Sequence, residues 1–274
     1  MLRSTASPGS RTARRALRWR TLTVIVGAAA LLLSARATPG EPVRMRYPEG
    51  PSHGFVVLSE SGRTIAHGEL IQWLERRVIA SRLIYRFDNG SLYDEVVRFT
   101  QQPVFRIQSY HLVQRGPSFK SATEVEFDHS GKYRATVKAA DKEEERDSGT
   151  IEVPDDVSNG LISVLLKNLK PGTSAKAHLL AFRPKPVTVE LELVPEGSEP
   201  YWVASAEGTA TRFLMTPRVR GLTGLVAKIA GNQPEPFRMW IAQGEAPVLI
   251  RFEGPLYLDG PEWRIELGAP RWKK

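Results

Sequence analysis

The chain has 274 residues, with 38 basic against 30 acidic and no cysteine. Lack of cysteine excludes disulfides, thiolate metal sites, cysteine nucleophiles and a lipid-modified N-terminal cysteine. Seven of the basic residues are arginines within residues 1–37, which hold no Lys, Asp or Glu, so the rest of the chain carries 31 bases against 30 acids; that balance gives no electrostatic ground for a nucleic-acid partner, and none is expected.

The first elements belong to targeting rather than to fold. Arg3, Arg11, Arg14, Arg15, Arg18 and Arg20 precede an apolar run over residues 22–33, and Ala35 and Ala37 occupy the −3 and −1 positions of a signal-peptidase site. This pattern predicts a signal peptide over 1–37, cleaved after Ala37, and hence an exported protein, periplasmic or secreted. The alternative is an uncleaved anchor, but the apolar run is shorter than the roughly 18 residues that span a bilayer. Arg14-Arg15 is loosely similar to a twin-arginine signal, which leaves the export route open. Residues 38–52 are rich in Pro, Gly and charge and read as a linker or loosely docked arm. The remainder, 53–272, has the length of a single β-rich domain.

Within that domain the apolar residues mostly recur with period two, the spacing of a strand with one buried face. Strands are predicted over 53–60 and, after a turn at Ser61-Gly62-Arg63, over 64–87 with a break near Glu75-Arg76-Arg77. Leu83, Tyr85 and Phe87 share a face there, with Arg82 and Arg86 opposite. Asp88-Asn89-Gly90 is a hairpin signal, and 91–101 is its partner strand. In 104–114, Phe105, Ile107, Ser109, His111 and Val113 fall on one face by strict alternation. The clearest hairpin spans 124–139: Val125, Phe127, Tyr133, Ala135 and Val137 on one side, acids then bases on the other, and Gly131 in the turn.

The charged run at 141–149 reads as a solvated edge or loop. Pro154-Asp155-Asp156 predicts a helix start, because either Asp can accept from free N–H groups. Val157, Leu161, Leu165 and Leu169 then repeat every four residues up to Pro171-Gly172. Further strands are predicted at 175–182 and 187–193, with weaker ones at 201–203 and 212–215. Residues 221–231 have amphipathic helical spacing. Alternation resumes at Phe237, Met239 and Ile241, at Val248, Ile250 and Phe252, and at Trp263, Ile265 and Leu267. The fold class is therefore mainly β: a single large curved antiparallel sheet or incomplete β barrel, with one or two helices covering its concave face.

Motifs that carry chemistry are sparse. The sequence has no G-x-S-x-G elbow, H-E-x-x-H helix, phosphate loop or G-x-G-x-x-G. No catalytic residue, metal site or cofactor is assigned. The candidate ligand-binding residues are Ser109 and His111, a polar pair on an apolar face, which needs internal hydrogen bonds or a ligand. Asp94, Glu95, Glu124 and Glu126 raise the thought of a glycosidase pair, although nothing in the sequence brings two of them together. Trp73, Trp202, Trp240 and Trp263 read as core or as the lining of a groove.

The layout of an exported antiparallel sheet with an apolar helix resembles the incompletely closed β barrels of periplasmic lipoprotein carriers. That resemblance implies helices against a concave face and acyl chains between them. Separately, Asp88-Asn89-Gly90-Ser91-Leu92-Tyr93-Asp94-Glu95, the stretches 111–118 and 165–169, and the pair 253–257 with 263–267 resemble exported bacterial proteins that have no assigned activity, so no catalytic residue comes with the likeness. The expectation is a non-enzymatic periplasmic protein that holds a lipid or other apolar small molecule in the curve of its sheet. Two alternatives remain: a structural protein that meets an envelope partner or membrane surface, and a hydrolase of unknown substrate.

Overall fold

A computed structural model of the chain describes residues 42–203, 206–219, 234–257 and 259–268. Among the described residues there are fourteen strands: β1 (Ser52–Glu60), β2 (Arg63–Glu75), β3 (Val78–Phe87), β4 (Leu92–Thr100), β5 (Arg106–Arg115), β6 (Ser121–Asp128), β7 (Lys132–Ala139), β8 (Glu145–Thr150), β9 (Ala175–Phe182), β10 (Pro186–Val203), β11 (Ala206–Val219), β12 (Phe237–Ala242), β13 (Leu249–Gly254) and β14 (Trp263–Gly268). Among the described residues there is one helix, α1 (Ile162–Asn168). The strands form a single sheet in the order β8-β7-β6-β5-β4-β3-β2-β1-β14-β13-β12-β11-β10-β9. Every pairing is antiparallel. The sheet is open, with β8 and β9 as its edges.

The sheet nevertheless bends until its two ends meet. Phe127 on β6 and Tyr133 on β7 lie near one edge, and Phe182 ends β9 at the other. Their ring centroids are 6.2 Å and 5.9 Å apart, respectively, from that of Phe182. Register shifts at Leu58/Ser59, Arg98/Phe99, Pro195/Gly197 and Trp240/Ile241 mark bulges, each of which adds local twist. Close approach also shapes the concave face. A Cβ on Gly68 would sit 2.5 Å from the Tyr85 ring, so only glycine lets that ring lie against β2.

The interior is filled at one end by α1. Leu161, Ile162, Val164, Leu165 and Leu166 are buried among Phe99 and Val97 of β4, Ile107 of β5, Phe127 of β6, Leu191 and Leu193 of β10, Met215 of β11 and Ile241 of β12. Each such side chain contributes about 1.5–3 kcal/mol relative to exposure, so this face holds the bend closed. A second buried cluster, built on Phe87, Tyr93, Phe119 and Trp263, sits at the other end of the strands.

Two departures from the sequence reading have local causes. The helix begins at Ile162, not after Pro154. Residues 156–160 are tied to β9 instead: Ser158 N–H donates to His178 O (2.8 Å), and Asn159 exchanges bonds with the Leu180 backbone (2.9 Å each way). Asp156 accepts from His178 Nδ1 at 2.6 Å rather than capping a helix, and no side chain caps the N-cap residue Leu161. The weak strands expected at 201–203 and 212–215 are parts of the long hairpin β10–β11. Its register shifts at Pro195/Gly197, where Glu196 is the extra residue of a bulge. The helical spacing at 221–231 lies outside the described residues.

The described part of the arm, 42–50, is bonded to α1 and to the loop after β4. Asn168 Oδ1 accepts from the N–H groups of Arg46 (2.7 Å) and Tyr47 (2.8 Å) while its Nδ2 donates to Val164 O (2.8 Å). Gln101 bonds both backbone groups of Glu49, and Lys167 Nζ lies 2.5 Å from the Glu49 carboxylate. The arm therefore covers the interior at the C-terminal end of α1.

Candidate functional site

Antiparallel connectivity assigns the loops to two ends of the sheet. The turns β2–β3, β4–β5 and β6–β7 gather at one end, where the arm bonds Gln101 and Pro103. The connections β3–β4, β5–β6, β7–β8, β9–β10 and β13–β14 gather at the other. Between the concave face and α1 is a cavity of about 910 Å³ that reaches this second end. Its size falls in the usual range of small-molecule pockets, about 300–1,000 Å³.

Most of the lining is apolar. Leu83 of β3, Val97 of β4, Leu112 of β5, Val125 of β6, Leu179 of β9 and Met239 of β12 face it, with Ile162 and Ser163 of α1 opposite. Exposed charges stand at its loop end: Lys120, Lys142 and Arg183 with Glu145, Asp259 and Glu262. Arg183 pairs with Asp259 at 2.5 Å, and Lys120 Nζ donates to the Asp259 carbonyl at 2.6 Å.

A polar group sits deep in this lining. The register sets Tyr85 of β3 opposite Tyr93 of β4, and Tyr93 opposite Gln114 of β5. Glu95 is two residues along β4 from Tyr93, so it points to the same side, between Leu83 and Leu112. Tyr110 Oη donates to Glu95 Oε1 at 2.7 Å. Burial pushes the Glu95 carboxyl up from its ordinary range; hydrogen bonds from Tyr110 and Tyr93 pull the other way without cancelling it. Burial, followed by the nearby Glu95 charge, raises the Tyr93 and Tyr110 hydroxyls well above theirs. Among the described residues, two buried atoms on this lining have no hydrogen-bond partner, Tyr85 Oη and Gln114 Oε1. Buried polar atoms of this kind are rare and ask for an explanation.

Ser109 and His111 are elsewhere. The ladder between β4 and β5 pairs Arg98 with Ser109 but Phe99 with Ile107, so Gln108 is an extra residue in a bulge. One added residue reverses the alternation. Phe105 and Ile107 point inward before it; Tyr110, Leu112 and Gln114 point inward after it. Ser109, His111 and Val113 are thereby turned to the outer face, contrary to the shared apolar face expected from strict alternation. His111 Nε2 lies 3.3 Å from Glu124 Oε1, and both side chains are well exposed. The two residues border a shallow outer depression with Arg98, Glu126 and Arg134.

Of the four carboxylates raised by the sequence, only Glu95 faces inward. Asp94 forms a two-point pair with Arg82 (2.8 and 2.6 Å), Glu124 meets His111, and Glu126 pairs with Arg134. None of Trp73, Trp202, Trp240 and Trp263 lines the cavity. A base–carboxylate pair does form at His178–Asp156, but Ser158 Oγ donates to the Asp156 carbonyl (2.7 Å) rather than to the imidazole. Among the described residues no group of three or more His, Asp or Glu side chains is placed to hold a metal ion.

Glu95 is the site residue that the sequence reading underweighted. Its signal was present: on the strand 91–101 it shares parity with Tyr93, Val97 and Phe99, a single charge on an otherwise apolar face. Comparison of the chain with protein-family models, curated proteins and solved structures finds no match. The functional reading accordingly rests on the geometry.

Proposed function

We propose that this is an exported, non-enzymatic binding protein that carries one apolar or amphipathic small molecule, such as a lipid, in the curve of its sheet. The observation that carries the reading is the cavity between α1 and the concave face, mostly apolar along its walls and open at a charged loop end. A protein with a purely structural task gains stability by filling such a space, because interiors pack to crystal-like density. Export to the periplasm or beyond follows from the leader pattern of residues 1–37 and is part of the proposal.

Native mass spectrometry of the freshly purified protein, before and after solvent extraction, tests it. The reading predicts an adduct of lipid mass that extraction removes and added single-chain lipid restores. A clean protein mass, with no uptake of fatty acids, fatty alcohols or fatty amines, would overturn it.

One observation favours a second reading, an interaction protein of the envelope. Trp202, on the long β10–β11 hairpin, is 69 % exposed, and Leu74 beside the β2–β3 turn is 55 % exposed. Large apolar side chains held in solvent suit contact with an envelope protein or a membrane surface.

A further inference from the structure

We infer that the cavity recognises the head of its ligand through Glu95, and that this head is a protonated amine carried on a single apolar chain. The inference rests on the ligand-binding reading above and assigns the ligand's chemical class.

The first argument is the sign of the interior. Glu95 is the one side chain deep in the lining that can carry a full charge at neutral pH; the lysines and arginine that line the cavity are exposed at its loop end. Among the described residues, no interior cation offsets the carboxylate. A fatty-acid carboxylate or a phosphate brought to this depth would meet like charge in a low-dielectric setting, which is strongly unfavourable. An ammonium entering the same place supplies the missing counter-charge.

The second argument is the count of acceptors. An ammonium has three N–H donors and no acceptor. The carboxyl oxygens of Glu95 accept from Tyr110 and retain further lone pairs. Gln114 Oε1 and Tyr85 Oη are buried without partners among the described residues, and both residues line the cavity. Tyr85, Tyr93 and Gln114 form one cross-strand row, and Glu95 stands one step along the same face, roughly 7 Å away. A head group that enters here meets the Glu95 carboxylate, with Gln114 Oε1 and Tyr85 Oη buried in the row beside it. A hydroxyl brings one donor where an ammonium brings three.

The third argument is the ring content. Tyr85 and Tyr93 have centroids 6.1 Å apart, and Tyr110 lies in the next row beyond Glu95. Aromatic rings around a carboxylate favour a cation through their faces, and most of all where water is excluded. Burial raises the Glu95 carboxyl, and a cation beside it favours the charged form.

The test is a calorimetric titration of the purified, delipidated protein with dodecylamine, 1-dodecanol and dodecanoic acid below their aggregation concentrations at pH 7. Each shares the same chain, so differences report the head. The amine is expected to bind at least tenfold more tightly than the alcohol, and the acid more weakly still. Glu95→Gln, whose folding is checked by circular dichroism, should remove that tenfold preference and leave the alcohol unchanged. Tyr85→Phe should weaken the amine severalfold. Equal or tighter binding of the alcohol or the acid by the wild-type protein overturns the inference while leaving the cavity reading intact. So does an amine affinity unaltered by Glu95→Gln. If none of the three chains binds the wild-type protein, the cavity reading fails too, and this inference with it. Should Glu95→Gln not fold, the wild-type ranking of the three heads decides alone.

Discussion

Two buried polar clusters lie in this molecule, and they are built on opposite principles. Around Asn168, at the end closed by the arm, both amide functions of the side chain are bonded, and the Glu49–Lys167 pair is buried with its partners in place. Around Glu95, beside the cavity, Tyr85 Oη and Gln114 Oε1 have no partner among the described residues. A complete set of hydrogen bonds stabilises a fold and specifies one arrangement of it. An incomplete set costs stability and is retained only where something else completes it. The first cluster holds the arm; the second is the one that, in the proposed reading, a ligand completes.

That contrast can be broken at several strengths. The largest effect is expected from Leu161→Ala, which opens a hole where α1 meets the sheet. Leu161 is only 1 % exposed, and urea unfolding should show a loss of about 2–5 kcal/mol. Asn168→Ala comes next. It removes the acceptor from two arm N–H groups and should cost about 2 kcal/mol by the same measurement, while the folded protein still takes up ligand.

Glu95→Gln should act in the opposite direction. The folded carboxyl has the raised pKa, so over the interval between its unfolded and folded values the native state binds more protons. Stability then falls as pH rises through that interval. The glutamine variant should lack this part of the pH dependence and unfold at a higher temperature than wild type at pH 7. Thermal melts of both proteins between pH 4 and 8 would show it. If the variant is instead less stable at every pH, the two clusters are alike and the contrast fails. Smallest of all is His111→Ala. On the exposed outer face its effect should lie within about 0.5 kcal/mol, with ligand uptake unchanged.

Much of the fold was legible because period-two patterns survive in a sheet with one buried face. The break at Arg76 was readable from its charge, and that residue adopts a left-handed φ of 60° between β2 and β3. The hairpin of Val125, Phe127, Tyr133 and Ala135 was readable from alternation alone, and these four are buried. The charged run was expected as a loop or edge, and residues from Glu145 onward form the edge strand β8, where charge discourages further pairing. What escaped were events that alternation cannot encode. The bulge at Gln108 shifted the phase of β5 and exchanged the faces of His111 and Leu112. The bonding of Asn159 to β9 unwound the first turns expected of the helix. The meeting of Phe182 with Phe127 and Tyr133 joins residues about fifty positions apart, and no local pattern reports it. For the site, the parity of Glu95 was in the sequence, whereas its tyrosine partners came from neighbouring strands.

The most direct measurement is photo-crosslinking with a dodecyl chain that carries a terminal diazirine, followed by peptide mapping. If the space between α1 and the concave face holds the ligand, the label will insert at lining residues such as Leu83, Leu112 and Leu179. Insertion confined to the outer face, around Trp202 or His111, or no insertion at all, would contradict the account.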